Sequence, residues 1–504
     1  MSPLLANIDL AFKALAPRTA DWFSILPEIA VAGLALLCLL QAMLLPSGLR
    51  WLISTTARVG LVLVMAMCFA AIAGWKVAAD TTSFAGLLRQ NLPFDGVRLV
   101  FLSSALLTSF VADRFLRDRD ANVADYHHVL LVVTAAFMLL AQSNHFVPFF
   151  VSLETAAVGL YVLVGYLRRS DASLEAGVKY LVSGGLSSAL LLMGIVLVYG
   201  SLGAVPGVTD SLNFTQIAAA LAAGHGTVLT LAGAALILGG AAFKLGAFPF
   251  HAWIPDVYQG APTPTTGLLA TSSKAAGAFM VLLLVTGPFA PLALKTGPLL
   301  AVAAVATLLV GNLGALATTD IKRALALSGV SHAGFILAAI TAAVVLPSGT
   351  AFEYNAEQIV IFYLLAYVVG TFLTTQALAS LPVAEDHRRS LPSLRGLLRR
   401  SPVLAAGLGF GIGSLAGIPP SVGFIAKLLV LMLLVKAKLW WVLGAALVSV
   451  AVSIHYYFGI LREAVVRPTE DSDEIVPLET AFSTRFIIGA LATAAVVGGL
   501  LILF

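Results

Sequence analysis

Long apolar runs dominate this chain, with neither the alternation of half-buried strands nor the heptads of a coiled coil. A membrane-spanning helix needs about 20 apolar residues. Runs of that kind lie near 23–45, 52–75, 97–112, 128–142, 145–167, 177–200, 228–248 and 264–287. More follow near 292–317, 324–346, 357–381, 402–436, 438–461 and 483–504. The 402–436 run is too long for one simple helix, and Pro419-Pro420 interrupts it, so it reads as one discontinuous element. The pattern predicts an all-α integral membrane protein of about fourteen transmembrane helices.

Composition narrows the picture. The 504 residues are 60% hydrophobic and only 11% charged, whereas a soluble domain is nearer half apolar and a quarter charged. Lipid is the natural solvent for such a chain, and its 44 glycines suit closely approaching membrane helices. Cys38 and Cys68 both lie inside apolar runs. Two thiols cannot supply the four ligands of an iron–sulfur cluster, and they read as small core residues. No GxxxxGK[ST] stretch occurs, so ATP is not the expected fuel. The net charge of +4 shows no nucleic-acid surface. The first apolar run follows Lys13, Arg18 and Asp21 rather than the compact basic start of a cleavable signal.

The connections are short, so function is expected within the membrane or at its faces. Residues 382–400 combine Leu391, Leu394, Leu397 and Leu398 with five arginines. That composition suits either a helix lying in the interface or a basic loop that fixes orientation. With the N-terminus outside, inside loops hold fifteen basic residues against eight outside. The bias predicts that both termini face out.

Four ionisable residues stand deep inside apolar runs: Glu154, Lys244, Lys274 and Lys427. Each such charge costs at least ~2.5–3.5 kcal/mol at a bilayer centre and normally marks an ion pathway. Glu154 is about ten residues, roughly 15 Å, from the outer end of its run. One glutamate can neutralise one lysine, but there are three. At least one amine must therefore be hydrated, neutral or otherwise paired. An amine removed from water holds its proton less firmly and can exchange it near neutral pH. The competing reading is a structural ion pair. Two of these lysines flank helix breaks: Lys244 precedes Gly246 and Pro249, and Lys427 follows Gly413, Gly417, Pro419 and Pro420. Broken membrane helices occur where they line a cavity, and paired breaks in two halves point to a transporter site. His332 and His251 are further relay candidates, because imidazole titrates near neutrality. Lys179, near an inner helix end, reads equally as a gate or as a snorkelling lysine.

Three stretches carry a resemblance: FKLGAFPFHAWIPDVYQGAPTPTTGLLATSSKAAG, GNLGALATTDIKRALALSGVSHAGF and SLAGIPPSVGFIAKLLVL. Together they resemble the subunit N family of proton-translocating NADH:quinone oxidoreductase, respiratory complex I, over about residues 130 to 460. The resemblance implies an antiporter-like fold with two inverted five-helix repeats and discontinuous helices near 246–249 and 413–420. It divides the chain into 1–125, a first repeat over 126–287, a second over 288–462, and a final helix over 463–504. It implies a proton relay of Glu154, Lys244, Lys274, His332 and Lys427, with Lys179 and His251 as accessories. Flavin, iron–sulfur clusters and quinone are expected in other subunits, and none in this chain. The implied partners are other membrane-arm subunits, both antiporter-like and small, together with lipids, in a bacterial inner membrane. The family's pattern after the glutamate is altered here by Thr155-Ala156-Ala157-Val158. Two rival functions remain: a sodium/proton exchanger subunit of the Mrp type, and a membrane scaffold with purely structural charges.

Overall fold

Without water to bond their amides, apolar segments close every backbone hydrogen bond internally and become helices. The computed structural model describes residues 17–75, 81–90, 92–346, 355–381, 390–466 and 477–503. Its membrane helices are α1 (Leu26–Leu44), α2 (Trp51–Ala70), α3 (Leu92–Arg117), α4 (Val123–Ala141), α5 (Phe146–Val164) and α6 (Asp171–Leu202). Next come α7a (Val228–Leu245), α7b (Trp253–Gly260), and α8 over Thr263–Thr286, with a π-turn at Leu269–Ser273. The series ends with α9 (Ala293–Ala317), α10 (Ile321–Val345), α11 (Ala356–Ala379), α12a (Pro402–Ala416), α12b (Val422–Lys436), α13 (Trp440–Val465) and α14 (Phe482–Leu503). Thirteen described helices are long and apolar enough to cross a membrane. The α12a–α12b pair makes the fourteenth crossing, in agreement with the sequence pattern.

Both breaks form where the sequence places them, with one adjustment. Gly246 and Gly417 each cap a half-helix in the left-handed conformation, at φ 80° and 82°, which glycine adopts without steric cost. Gly413 lies inside α12a, so the second break runs only from Gly417 to Ser421. Helix α5 is continuous through Thr155-Ala156-Ala157-Val158, and the Thr155 hydroxyl donates back to Val151 O at 2.8 Å. In the 382–400 segment, residues 382–389 lie outside the described residues. The rest is not a single interfacial helix: it forms a 3-10 turn at Leu391–Leu394 and a short helix at Leu397–Arg400. Leu394 and Leu397 are buried in the protein, and Arg395 pairs with Glu463 at 2.8 Å.

Lipid tails are as apolar as leucine, so helices associate through close packing rather than hydrophobic exclusion. Gly194 on α6 faces Gly233 on α7a. A Cβ on either would lie 2.6–2.7 Å from the other's carbonyl oxygen. Gly311 on α9 sits as close to the Ser331 backbone of α10.

The helices also pack in a repeated order. The pairs α4–α5, α6–α7a and α7a–α8 are matched by α9–α10, α11–α12a and α12a–α13. The loops repeat as well. His145 caps α5 and bridges Asn213, in the loop after α6; Asp320 caps α10 and bridges Ser390, in the loop after α11. Because five crossings separate equivalent helices, the second set starts from the opposite membrane face. The repeat is therefore inverted.

Valine at Gly233 drives a branched side chain into the α6 backbone. Overpacking of this kind costs about 1–3 kcal/mol. A lowered thermal midpoint of the detergent-purified Gly233→Val protein is expected; an unchanged midpoint would contradict this contact.

Candidate functional site

Lys244, Lys274 and Lys427 are all buried. A buried ammonium requires compensating polar groups, and the partners here are not carboxylates. Lys244 occupies the last turn of α7a, where unpaired carbonyls and the helix dipole favour a cation. Its Nζ donates to the Tyr180 hydroxyl of α6 at 3.3 Å and lies 5.6–5.9 Å from the rings of Tyr180 and Phe137. Lys427 is on α12b but folds back across the break. Its Nζ donates at 2.8 Å to the carbonyl of Ala416, the last residue of α12a. The Phe335 ring stands 5.4 Å away. Thus Lys244 belongs to the last turn of a half-helix and places its amine on the Tyr180 hydroxyl, whereas Lys427 meets the negative end of one directly. Gly417 makes the second arrangement possible, since a Cβ there would meet Lys427 Cδ at 2.9 Å.

Lys274 follows the π-turn of α8 and packs beside Gly329 of α10; a Cβ at Gly329 would lie 3.7 Å from its Nζ. His332, one turn further along α10, is held at both ring nitrogens. Nδ1 meets the Tyr363 hydroxyl at 2.7 Å, and Nε2 meets the Tyr457 hydroxyl at 3.3 Å. A cavity with room for about one water molecule lies against His332, Tyr363, Tyr367, Ser414 and Gly423.

Glu154 accepts a hydrogen bond from Ser188 at 2.5 Å. No ion pair joins it to Lys244, whose amine is on the Tyr180 hydroxyl. Among the described residues, none of Lys244, Lys274 and Lys427 is in an ion pair with a carboxylate; a fourth buried lysine, Lys322, donates to the Ala261 carbonyl at 2.8 Å. That arrangement argues against purely structural ion pairs.

The two accessory candidates fall outside this row. The Lys179 side chain is 46% exposed and pairs with Glu175 at 2.6 Å and Asp256 at 3.3 Å. Asp256, on α7b, also binds Arg323 of α10 at 2.7 Å. The cluster therefore ties the half-helix beyond the first break to both repeats. His251 lies in the first break, its ring stacked on Phe248 at 5.8 Å.

Sequence reasoning missed the hydroxyls of Tyr180, Ser188, Tyr363 and Tyr457. It also missed a buried ion pair at the start of α1, where Arg98 grips Glu28 at 2.8 and 3.1 Å and Gln142 donates to the same carboxylate at 2.6 Å. Both charges stand near helix ends, where anchoring is the default reading.

Interrupted membrane helices whose half-helix ends face buried cations define a transporter-type core. Residues 143–453 match the family described as NADH:quinone oxidoreductase/Mrp antiporter, transmembrane, and the chain belongs to that family. All seven candidate residues fall within the matched span. A relative from Opitutus terrae, named NADH-quinone oxidoreductase subunit N 1, is 45% identical over 94% of each chain. One from Roseiflexus castenholzii, named NADH-quinone oxidoreductase subunit N 2, is 34% identical over 94% of this chain and 93% of that one. A chain in the respiratory complex I structure from Thermus thermophilus with bound aureothin is 30% identical, with a TM-score of 0.75 over 94% of this chain and 97% of that one. A chain of the Mrp complex from a Dietzia species shares the fold at 20% identity, with a TM-score of 0.79 over 96% and 95%.

Replacing Asp256 with asparagine should free Lys179 and Arg323 together. Partly exposed pairs contribute up to about 1 kcal/mol each. Faster hydrogen–deuterium exchange across Trp253–Gly260 is expected; unaltered exchange would show that the pairs do not hold α7b.

Proposed function

We propose that this chain is a proton-translocating membrane-arm subunit of an NADH:quinone oxidoreductase, driven by quinone reduction elsewhere in the complex. One observation carries the reading. Lys244 and Lys427 are held by a hydroxyl, a helix end and aromatic faces rather than by fixed counter-ions, and buried Lys274 likewise makes no ion pair with a carboxylate among the described residues. Neutral partners stabilise an ammonium less than a carboxylate does, so the proton can leave. The names of the 45% and 34% identical relatives favour complex I over an exchanger of the Mrp type, whose likeness is one of fold.

In this reading protons enter from the inner face to Lys244, pass through Lys274 and His332, and leave by Lys427. Glu154 tunes Lys244 from its place beside Ser188. Lys179, tied to Asp256, modulates entry, and His251 attends the first break. The first repeat spans 126–287 and the second 288–462, between helices 1–125 and 463–504. The chain is multi-pass in a bacterial inner membrane, with its arginine-rich loops inside and both termini in the periplasm. Moving one charge against 100 mV requires ~2.3 kcal/mol. Flavin, iron–sulfur clusters and quinone in partner subunits supply that work, and this chain performs no redox step. Neighbouring antiporter-like and small membrane subunits, with lipid, cover its outer helices.

The test uses the intact enzyme in sealed vesicles. Lys427→Ala and Lys244→Ala should each reduce protons moved per NADH oxidised at least tenfold. Lys427→Arg should also fail, because guanidinium does not release its proton. Normal pumping with alanine at both positions would overturn the relay.

A further inference from the structure

His332 is the one described group in the buried row with a tyrosine hydroxyl on each side of it. Tyr363 of α11 meets Nδ1 at 2.7 Å, and Tyr457 of α13 meets Nε2 at 3.3 Å. Neutral imidazole carries one donor and one acceptor nitrogen. One tyrosine therefore donates to the ring while the other accepts from it, and a phenol can do either.

Each tyrosine leads towards one of the two flanking lysines. The Tyr457 hydroxyl is in close contact with Ser328 Oγ. Ser328 adjoins Gly329, against which Lys274 packs. On the other side, Tyr363 opens onto the single-water cavity. Ser414, whose buried hydroxyl has no protein partner among the described residues, lines the same cavity, as do Gly423 and Ala426. These residues flank the second break, where Lys427 is anchored to Ala416.

Resting on the relay reading above, we propose that Tyr457 and Tyr363 are relay residues in series with His332. One water in the cavity completes the link from Lys274 to Lys427. A proton arriving from the Lys274 side, by way of Ser328, binds the Tyr457 oxygen as that phenol gives its own proton to Nε2. The ring then releases the Nδ1 proton to the Tyr363 oxygen, and Tyr363 passes its own proton to the cavity water and on to Lys427. One proton enters and one leaves. Both phenols stay neutral, and the ring has exchanged tautomers. Rotation of the hydroxyls and return of the tautomer reset the wire.

A structural clasp would also explain hydrogen bonds between α10, α11 and α13, so the test needs a readout that a clasp would not move. Tyr457→Phe and Tyr363→Phe remove one oxygen each and keep the rings. In the intact complex in vesicles, each should lower protons moved per NADH oxidised at least fivefold. The double variant should be no worse than either single one, because breaking a series wire twice costs no more than breaking it once; independent structural losses would multiply. Tyr126→Phe, a buried tyrosine bonded to Thr265 in another part of the bundle, should pump normally. Fluorinated tyrosine at 457 keeps the shape and makes the phenol more acidic, so it should shift the pH profile of pumping even if the phenylalanine variant fails to assemble. Normal pumping by both phenylalanine variants, multiplying losses, or an unshifted pH profile would each overturn the proposal. If Lys427→Ala also pumps normally, the relay itself fails; if it blocks pumping while the tyrosine variants do not, only the tyrosine wire does.

Discussion

An ammonium in hydrocarbon must meet opposite charge, and here a severed helix supplies it. The carbonyls at the end of an α-helix have no partner within the helix, and the aligned peptide dipoles leave that end partly negative. Lys244 sits on such an end, and Lys427 reaches back to one. Each end exists only because the chain breaks at a left-handed glycine. Break and amine are therefore mutually dependent. The open carbonyls would be costly without a cation, and the cation would be costly without the carbonyls. A dipole is also a gentler partner than a carboxylate, which suits a proton that must be held and then given up.

The rest of the architecture holds these half-helices in place. Close glycine contacts bring α6 against α7a and α9 against α10. The loop after the third helix of each repeat is stitched to the cap of the second, at His145–Asn213 and Asp320–Ser390. These contacts lie at opposite membrane faces, so the buried row runs between two similar frames. The 20% identical Mrp chain shares the fold, as expected if backbone satisfaction, rather than particular side chains, dictates it.

Much of this was legible in the residues. Crossings could be counted because each demands a long apolar run, and Lys244, Lys274 and Lys427 stood out because charge is rare there. The partners were not legible. Tyr180 lies 64 residues from Lys244, and Tyr457 lies 125 from His332. Helices apolar on nearly every side carry no periodicity to show which face meets which neighbour. Lys179 could not be separated from the relay row, because its ties to Glu175 and Asp256 depend on where α7b docks. Gly413 resembled part of the break because glycine alone does not distinguish a tight packing site from a cap; its place inside α12a shows that only Gly417 adopts positive φ there. The Glu28–Arg98 pair joins α1 to α3 across seventy residues, with no local motif to announce it.

The two breaks differ in one respect. Lys244 precedes its break and is fixed to the half-helix whose dipole it uses, whereas Lys427 follows its break and borrows the dipole of the other half. Sliding α7b leaves Lys244 riding with its own carbonyls and alters only its surroundings. Sliding α12b stretches the Lys427–Ala416 contact directly. A mechanical displacement of equal size would therefore grip the two amines unequally, loosening the distal one by traction and the proximal one only by a change in its neighbours.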